Sequence, residues 1–226
     1  MRAAFMVCLL SLGLTTTVRA DTLDDVLNKM DHAGSQFKGM AANLSYTKHT
    51  ALINIDSVST GTIKIKRPQP RDMRMLVDYT APDKKTVWFE GHTVDILLPN
   101  IKTVQEYDVG KNKDLLEQFF LVGFGTSRRD LSDAYSISLG GADVVNGEPV
   151  TRIAMTSKNP EVQKRLTKFE LWISSKTGQP VQQKFYEPSG DYNVFTYTNM
   201  KINPDLPDSA LKSRIPKDYK KEYPNK

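Results

Sequence analysis

Cysteine is almost absent: Cys8 is the single one in 226 residues, so no internal disulfide can staple the chain. Histidine is nearly as scarce. His32, His49 and His92 fall in a helical pattern, a strand pattern and a turn, without ligand spacing, which argues against a metal site. No G-x-S-x-G elbow occurs, and no S-x-x-K precedes an apolar helix. Gly123-Phe124-Gly125 is too short for a dinucleotide loop and follows a helical pattern where that motif requires a strand. Glu170 and Glu187 lie in or beside candidate strands, where solvent-facing positions are the plainer expectation than a catalytic pair. These gaps leave no catalytic constellation, no cofactor and no metal, and point away from an enzyme. The chain also lacks internal repeats, low-complexity stretches and a dense basic stripe, so nucleic acid is not an expected partner.

What is present fits a globular domain: 39% hydrophobic and 25% charged residues. The length suits one large domain or two small ones, with a core that needs no disulfide or metal staple. Met1-Arg2, an acid-free apolar run to Val18 and the small residues of Val18-Arg19-Ala20 read as a secretory signal peptide over 1–20. The run falls short of the ~20 apolar residues a membrane span needs. Cys8 lies mid-run without flanking small residues, which argues against acylation there. Residues 21–226 then form a single exported domain, expected in the periplasm and soluble. Losing Arg2 and Arg19 lowers the net charge from +5 to +3, a mild excess that allows peripheral contact with an anionic membrane surface.

Leu23, Val26, Leu27, Met30, Ala33 and Phe37 form one apolar stripe after a possible cap at Asp21 or Thr22, so a first amphipathic helix is expected. From about Asn43 the period changes to two. Eleven strands are expected: 43–53, 58–66, 71–78, 86–90, 93–98, 102–108, 135–145, 149–156, 166–174, 180–187 and 191–202. Short strands joined by tight turns imply an antiparallel meander, curved or nearly closed. The segment Lys113 to Phe124 interrupts it with a short helical pattern that is apolar on most faces. The basic tail after Ser213 is expected to be loosely held.

The two helices can simply complete the core, or act as a movable lid over a greasy cavity. In the second reading Ile63, Ile65, Met73, Met75 and Val77 face the same space as Leu115, Phe119 and Phe120. Met40, Met73, Met75, Met155 and Met200 would give that space an adaptable lining.

A run of motifs sharpens the choice. Gly61-Thr-Ile-Lys-Ile-Lys-Arg-Pro68, Thr86-Val-Trp-Phe-Glu-Gly91, then Pro99 and Lys102-Thr-Val, resemble in order and spacing the periplasmic outer-membrane lipoprotein carrier family (LolA-like). The layout is similar over nearly the whole chain after the signal segment. The segment Asp108 to Asp133 compares only loosely, and the basic tail is this chain's own. The resemblance implies a mainly β fold with helices (α+β), an incomplete antiparallel β-barrel covered by a helical lid. It implies a carrier that moves acylated lipoproteins from an inner-membrane export complex to an outer-membrane acceptor. It also places at Arg67 the family's arginine that hydrogen-bonds to the lid. The alternative within this fold is a lipid- or lipoprotein-sensing regulatory module that acts through protein contacts.

Overall fold

The computed structural model describes residues 21–69, 72–212 and 214–225, without the side chains of Asn112, Asp114, Leu115 and Gln118. The expected signal segment and the expected cavity side chain of Leu115 therefore lie outside the described residues. Helix α1 (Leu23–Ser35) opens the described chain. Thr22 caps it: its hydroxyl accepts from the Asp25 N–H at 3.2 Å, and its own N–H donates to the Asp25 carboxylate at 3.0 Å. This reciprocal box satisfies N–H groups that the helix itself cannot. Val26, Leu27 and Met30 are buried along the expected stripe, while Phe37 lies beyond the helix end.

Strands β1 (Gly39–Thr50), β2 (Ile55–Gln69), β3 (Asp72–Ala81), β4 (Lys85–Glu90), β5 (Thr93–Leu98) and β6 (Thr103–Asp108) follow as a meander. Helices α2 (Lys113–Leu121) and α3 (Arg128–Ala134) then interrupt it. Strands β7 (Tyr135–Val145), β8 (Glu148–Ser157), β9 (Lys168–Ser174), β10 (Pro180–Tyr186) and β11 (Tyr192–Ile202) complete it, with a single-turn α4 (Pro160–Gln163) between β8 and β9. A last short strand, β12 (Lys220–Glu222), lies near the C-terminus. β11 returns to pair with β1, so the two halves join in one sheet ordered β12-β6-β5-β4-β3-β2-β1-β11-β10-β9-β8-β7. Among the described residues its two edge strands do not pair with each other, and the sheet stays open. At Gly61 the strands come unusually close. A Cβ there would stand 1.9 Å from the Asp78 carbonyl oxygen, so only glycine fits.

The eleven expected strands all form, each near its expected bounds. The tail corrects the sequence reading. Strand β12 pairs parallel with β6, and Asn225 exchanges hydrogen bonds with the backbone of Asp108 at 3.2 and 2.7 Å. Leu211 and Tyr219 pack on Leu76, Trp88, Leu97 and Val104 on the outer face of the sheet. A three-residue charged strand shows no hydrophobic period, so its pairing cannot be read from pattern.

Two apolar clusters fill the concave face. α1 covers one with Val26, Leu27 and Met30 against Ile153, Met155, Phe169, Leu171 and Phe185. The other gathers Met40, Leu44, Ile63, Ile65, Met73, Met75, Val77 and Phe89 beneath Leu121 and Phe124. Glu170 also departs from expectation. It is only 5% exposed, on the outer face, where Lys168 and the Tyr186 hydroxyl contact it at 2.8 and 2.7 Å. Burial pushes this carboxyl up, but the hydrogen bonds from Lys168 and Tyr186, with the charges of Lys168 and Arg152, outweigh burial and hold it below the usual range.

Candidate functional site

Inward side chains of β1–β4, β10 and β11 leave a cavity of about 340 Å³ beneath α2, at the small end of the range for ligand pockets. Ile63, Ile65, Met75 and Val77 line it from the sheet, and Phe119 and Phe120 line it from the helix. Period-two alternation on β2 and β3 puts these four residues on one face. Met73 sits on the same face but is packed into the core beside the cavity. Of the five methionines considered for the lining, Met75 alone borders the space.

The lining grades from dry to half-wet. Leu44, Gln183, Phe185 and Tyr197 are buried, whereas Tyr46, Tyr79, Lys85 and Asn193 are half-buried and form the mouth. The Tyr46 hydroxyl donates to the Asn193 side-chain oxygen at 2.7 Å. The Lys85 ammonium lies 4.7 Å from the Tyr79 ring centre, and burial, with Tyr46 nearby, pushes the Tyr79 phenol up to about 12. Phe119 meets Phe185 at 4.3 Å and Phe120 at 5.3 Å between ring centres. The roof is therefore aromatic, and the floor is an aliphatic row on β2 and β3 flanked by Phe185, Phe195 and Tyr197 of β10 and β11.

At the end away from the mouth, polar groups of the sheet hold the segment that follows α2. Arg67 Nη1 donates to the Gly125 carbonyl at 2.8 Å. Gln183 donates to the Val122 carbonyl at 2.7 Å and accepts from the Tyr197 hydroxyl at 2.6 Å. Glu117 of α2 accepts from the Met73 N–H at 3.3 Å and pairs with Lys113 at 2.8 Å. Phe124, fully buried, packs on Phe37 and Tyr197, each 5.6 Å away between ring centres. Gly125 needs its φ of +63°, and a Cβ there would stand 2.7 Å from Arg67 Nη1. Arg128 ties α3 to α1, with its backbone N–H on Asp31 at 2.7 Å and its guanidinium on Asn28 and Asp24.

Pattern reading misses the β1, β10 and β11 side of the lining and the mouth residues Tyr46, Tyr79, Lys85 and Asn193, as well as Gln183 and Glu117. Gln183 lies in the polar run Gln182-Gln183-Lys184, and its two-residue offset from Phe185 is the signal that places it on the inward face. Among the described residues no group of three or more His, Cys, Asp or Glu is arranged to hold a metal. No described helix is long and apolar enough to cross a membrane.

The fold has relatives among solved structures. An uncharacterized conserved protein from Thermus thermophilus superposes with a TM-score of 0.53 at 13% identity, covering 88% of this chain and 98% of that one. MucB gives 0.51 at 19% identity over 84% of this chain, which spans 62% of MucB. Mycobacterium tuberculosis lipoprotein LppX gives 0.50 at 12% identity, over 82% and 99% of the two chains. No curated protein shows significant sequence similarity to the chain. The sequence profile described as outer membrane lipoprotein carrier protein LolA matches residues 35–213, a span that holds the whole cavity, its roof and Arg67. The chain therefore belongs to the LolA family.

Proposed function

We propose that this protein is a periplasmic carrier that takes acyl chains of lipoproteins or lipids into the cavity beneath α2 and passes them toward the outer membrane. It performs no covalent chemistry, and residues 1–20 serve as the export signal. The observation that carries the reading is the apolar space itself. It lies between the aliphatic row of β2 and β3 and the Phe119–Phe120 roof, with a polar latch at one end and a half-wet mouth at the other. A roof held by hydrogen bonds can exchange its own contacts for cargo and recover them on release. Membership of the carrier family supports the same reading.

Native mass spectrometry of protein purified from its own cell envelope tests it. A bound acylated peptide is the expected result, and bound free lipid would favour another lipid carrier or the sensing module. An empty protein that turns over lipid esters would contradict the proposal.

A further inference from the structure

The mouth of the cavity shares one end of the sheet with most of the exposed aliphatic surface. β1, β3 and β5 run toward this end, so their following turns meet there. One groove is lined by Ser59 of β2, Pro82, Asp83 and Lys84 of the β3–β4 turn, and Asn100 and Ile101 of the β5–β6 turn. Leu52 is 94% exposed and Ile53 60% on the β1–β2 tip, and Ile101 is 64% exposed. The tip is also built to stay out. The Ala51 N–H donates to Asp191 at 2.8 Å, the Asn54 N–H closes the turn on the Ala51 carbonyl at 3.2 Å, and His49 stacks on Tyr192 at 4.4 Å.

Apolar groups at the apex of a projecting hairpin are best buried by entering a soft phase. A stable protein interface needs roughly 800 Å² from each partner, which a hairpin apex does not offer. Behind the tip, on the turn that borders Ser59 of β2, stand Lys84 and Lys85, with Tyr46 and Tyr79 at the mouth, the residue types that favour a membrane–water boundary. Asp83 on the same turn offsets part of that charge, so insertion outweighs electrostatic attraction.

We propose that this end of the sheet is a membrane-docking rim. Leu52, Ile53 and Ile101 enter the outer layer of a phospholipid bilayer and set the cavity mouth against the lipid surface. An acyl chain then passes between bilayer and cavity without crossing open water. That purpose rests on the cavity being an acyl-chain site; the docking itself does not.

The test is co-flotation of purified protein with phosphatidylethanolamine–phosphatidylglycerol vesicles, alongside binding of a fluorescent fatty acid. Both tip residues are exposed, so a Leu52→Ser/Ile53→Ser double variant should fold. Its vesicle affinity should fall at least tenfold while fatty-acid affinity stays unchanged. In Leu52→Trp, vesicles should blue-shift the indole emission, and brominated lipid should quench it. Wild-type vesicle binding by the double variant, or no vesicle binding by the native protein, would overturn the proposal. So would a tip that proves to mediate self-association in sedimentation while vesicles leave it untouched. If the native protein docks through its tip yet binds no fatty acid, the rim stands and the cavity reading falls.

Discussion

Arg67 projects from the end of β2 with a side-chain hydrogen bond to the Gly125 carbonyl and a buried Nε that has no partner among the described residues. A hydrogen bond from a charged donor is worth about 1.5–3 kcal/mol, so its loss should shift the roof toward opening by about ten- to a hundredfold. Arg67→Leu should therefore keep or strengthen acyl-cargo binding and slow release to an acceptor membrane. Arg67→Lys should restore release only in part, because a point charge lacks the planar fork. Binding and transfer assays on the same folded preparations check this, and wild-type transfer by Arg67→Leu would make Arg67 an ordinary strand-end residue. Asp95 offers a test on the opposite face. Burial, with Glu106 beside it, raises its carboxyl despite the lowering effect of Lys221, and Oδ1 has no hydrogen-bond partner among the described residues. A carboxyl raised in the folded state favours folding below its unfolded value of about 3.9, and that benefit is lost as pH rises through the folded value. Asp95→Asn should thus raise the melting temperature at pH 7 and lose the advantage by pH 3. An equal gain at both pH values would mean that charge is not the cause.

At the scale of elements, the segment after α2 and the C-terminal strap make separable predictions. Gly125 holds a left-handed φ against the Arg67 guanidinium, and such strain costs on the order of 1–3 kcal/mol in a residue with a side chain. Gly125→Ala should weaken the roof latch and speed hydrogen exchange around 121–126 while leaving β7–β10 protected; uniform protection in both regions would contradict it. Leu211 is 4% exposed over Leu76, Trp88, Leu97 and Val104. Leu211→Ala should cost about 2–5 kcal/mol in denaturant unfolding, and a change within a few tenths of a kcal/mol would show the strap to be loose. These two elements differ in how far the sequence discloses them. Strand alternation such as Ile63/Ile65 and Met73/Met75/Val77 is a period that survives without a partner, and so is the stripe of α1. The strap has no period of its own, since its order comes from what Leu211 and Tyr219 touch. The roof is intermediate: its excess of apolar residues is legible, but the contacts of Glu117 and Gln183 arise only when distant strands close around it. Glu170 misleads for the same reason, because alternation places it outward without revealing the cations that bury it.

For the molecule as a whole, one open sheet carries two differently filled halves. α1 fills the half beneath β7–β10, whereas α2 leaves space under its aromatic face. A sixteen-carbon chain represents roughly 12 kcal/mol of hydrophobic transfer at about 0.8 kcal/mol per methylene, so unaided passage through water is slow. A carrier must nearly match that gain and still release, and a roof held by a few hydrogen bonds supplies an opposing term of adjustable size. The claim that acyl cargo occupies the space between β3 and α2 is tested most directly by photo-crosslinkers placed singly at Met75 and Phe119 in living cells. Both positions should capture the same acylated cargo, and cargo that is bound by the protein but captured at neither position would contradict the account.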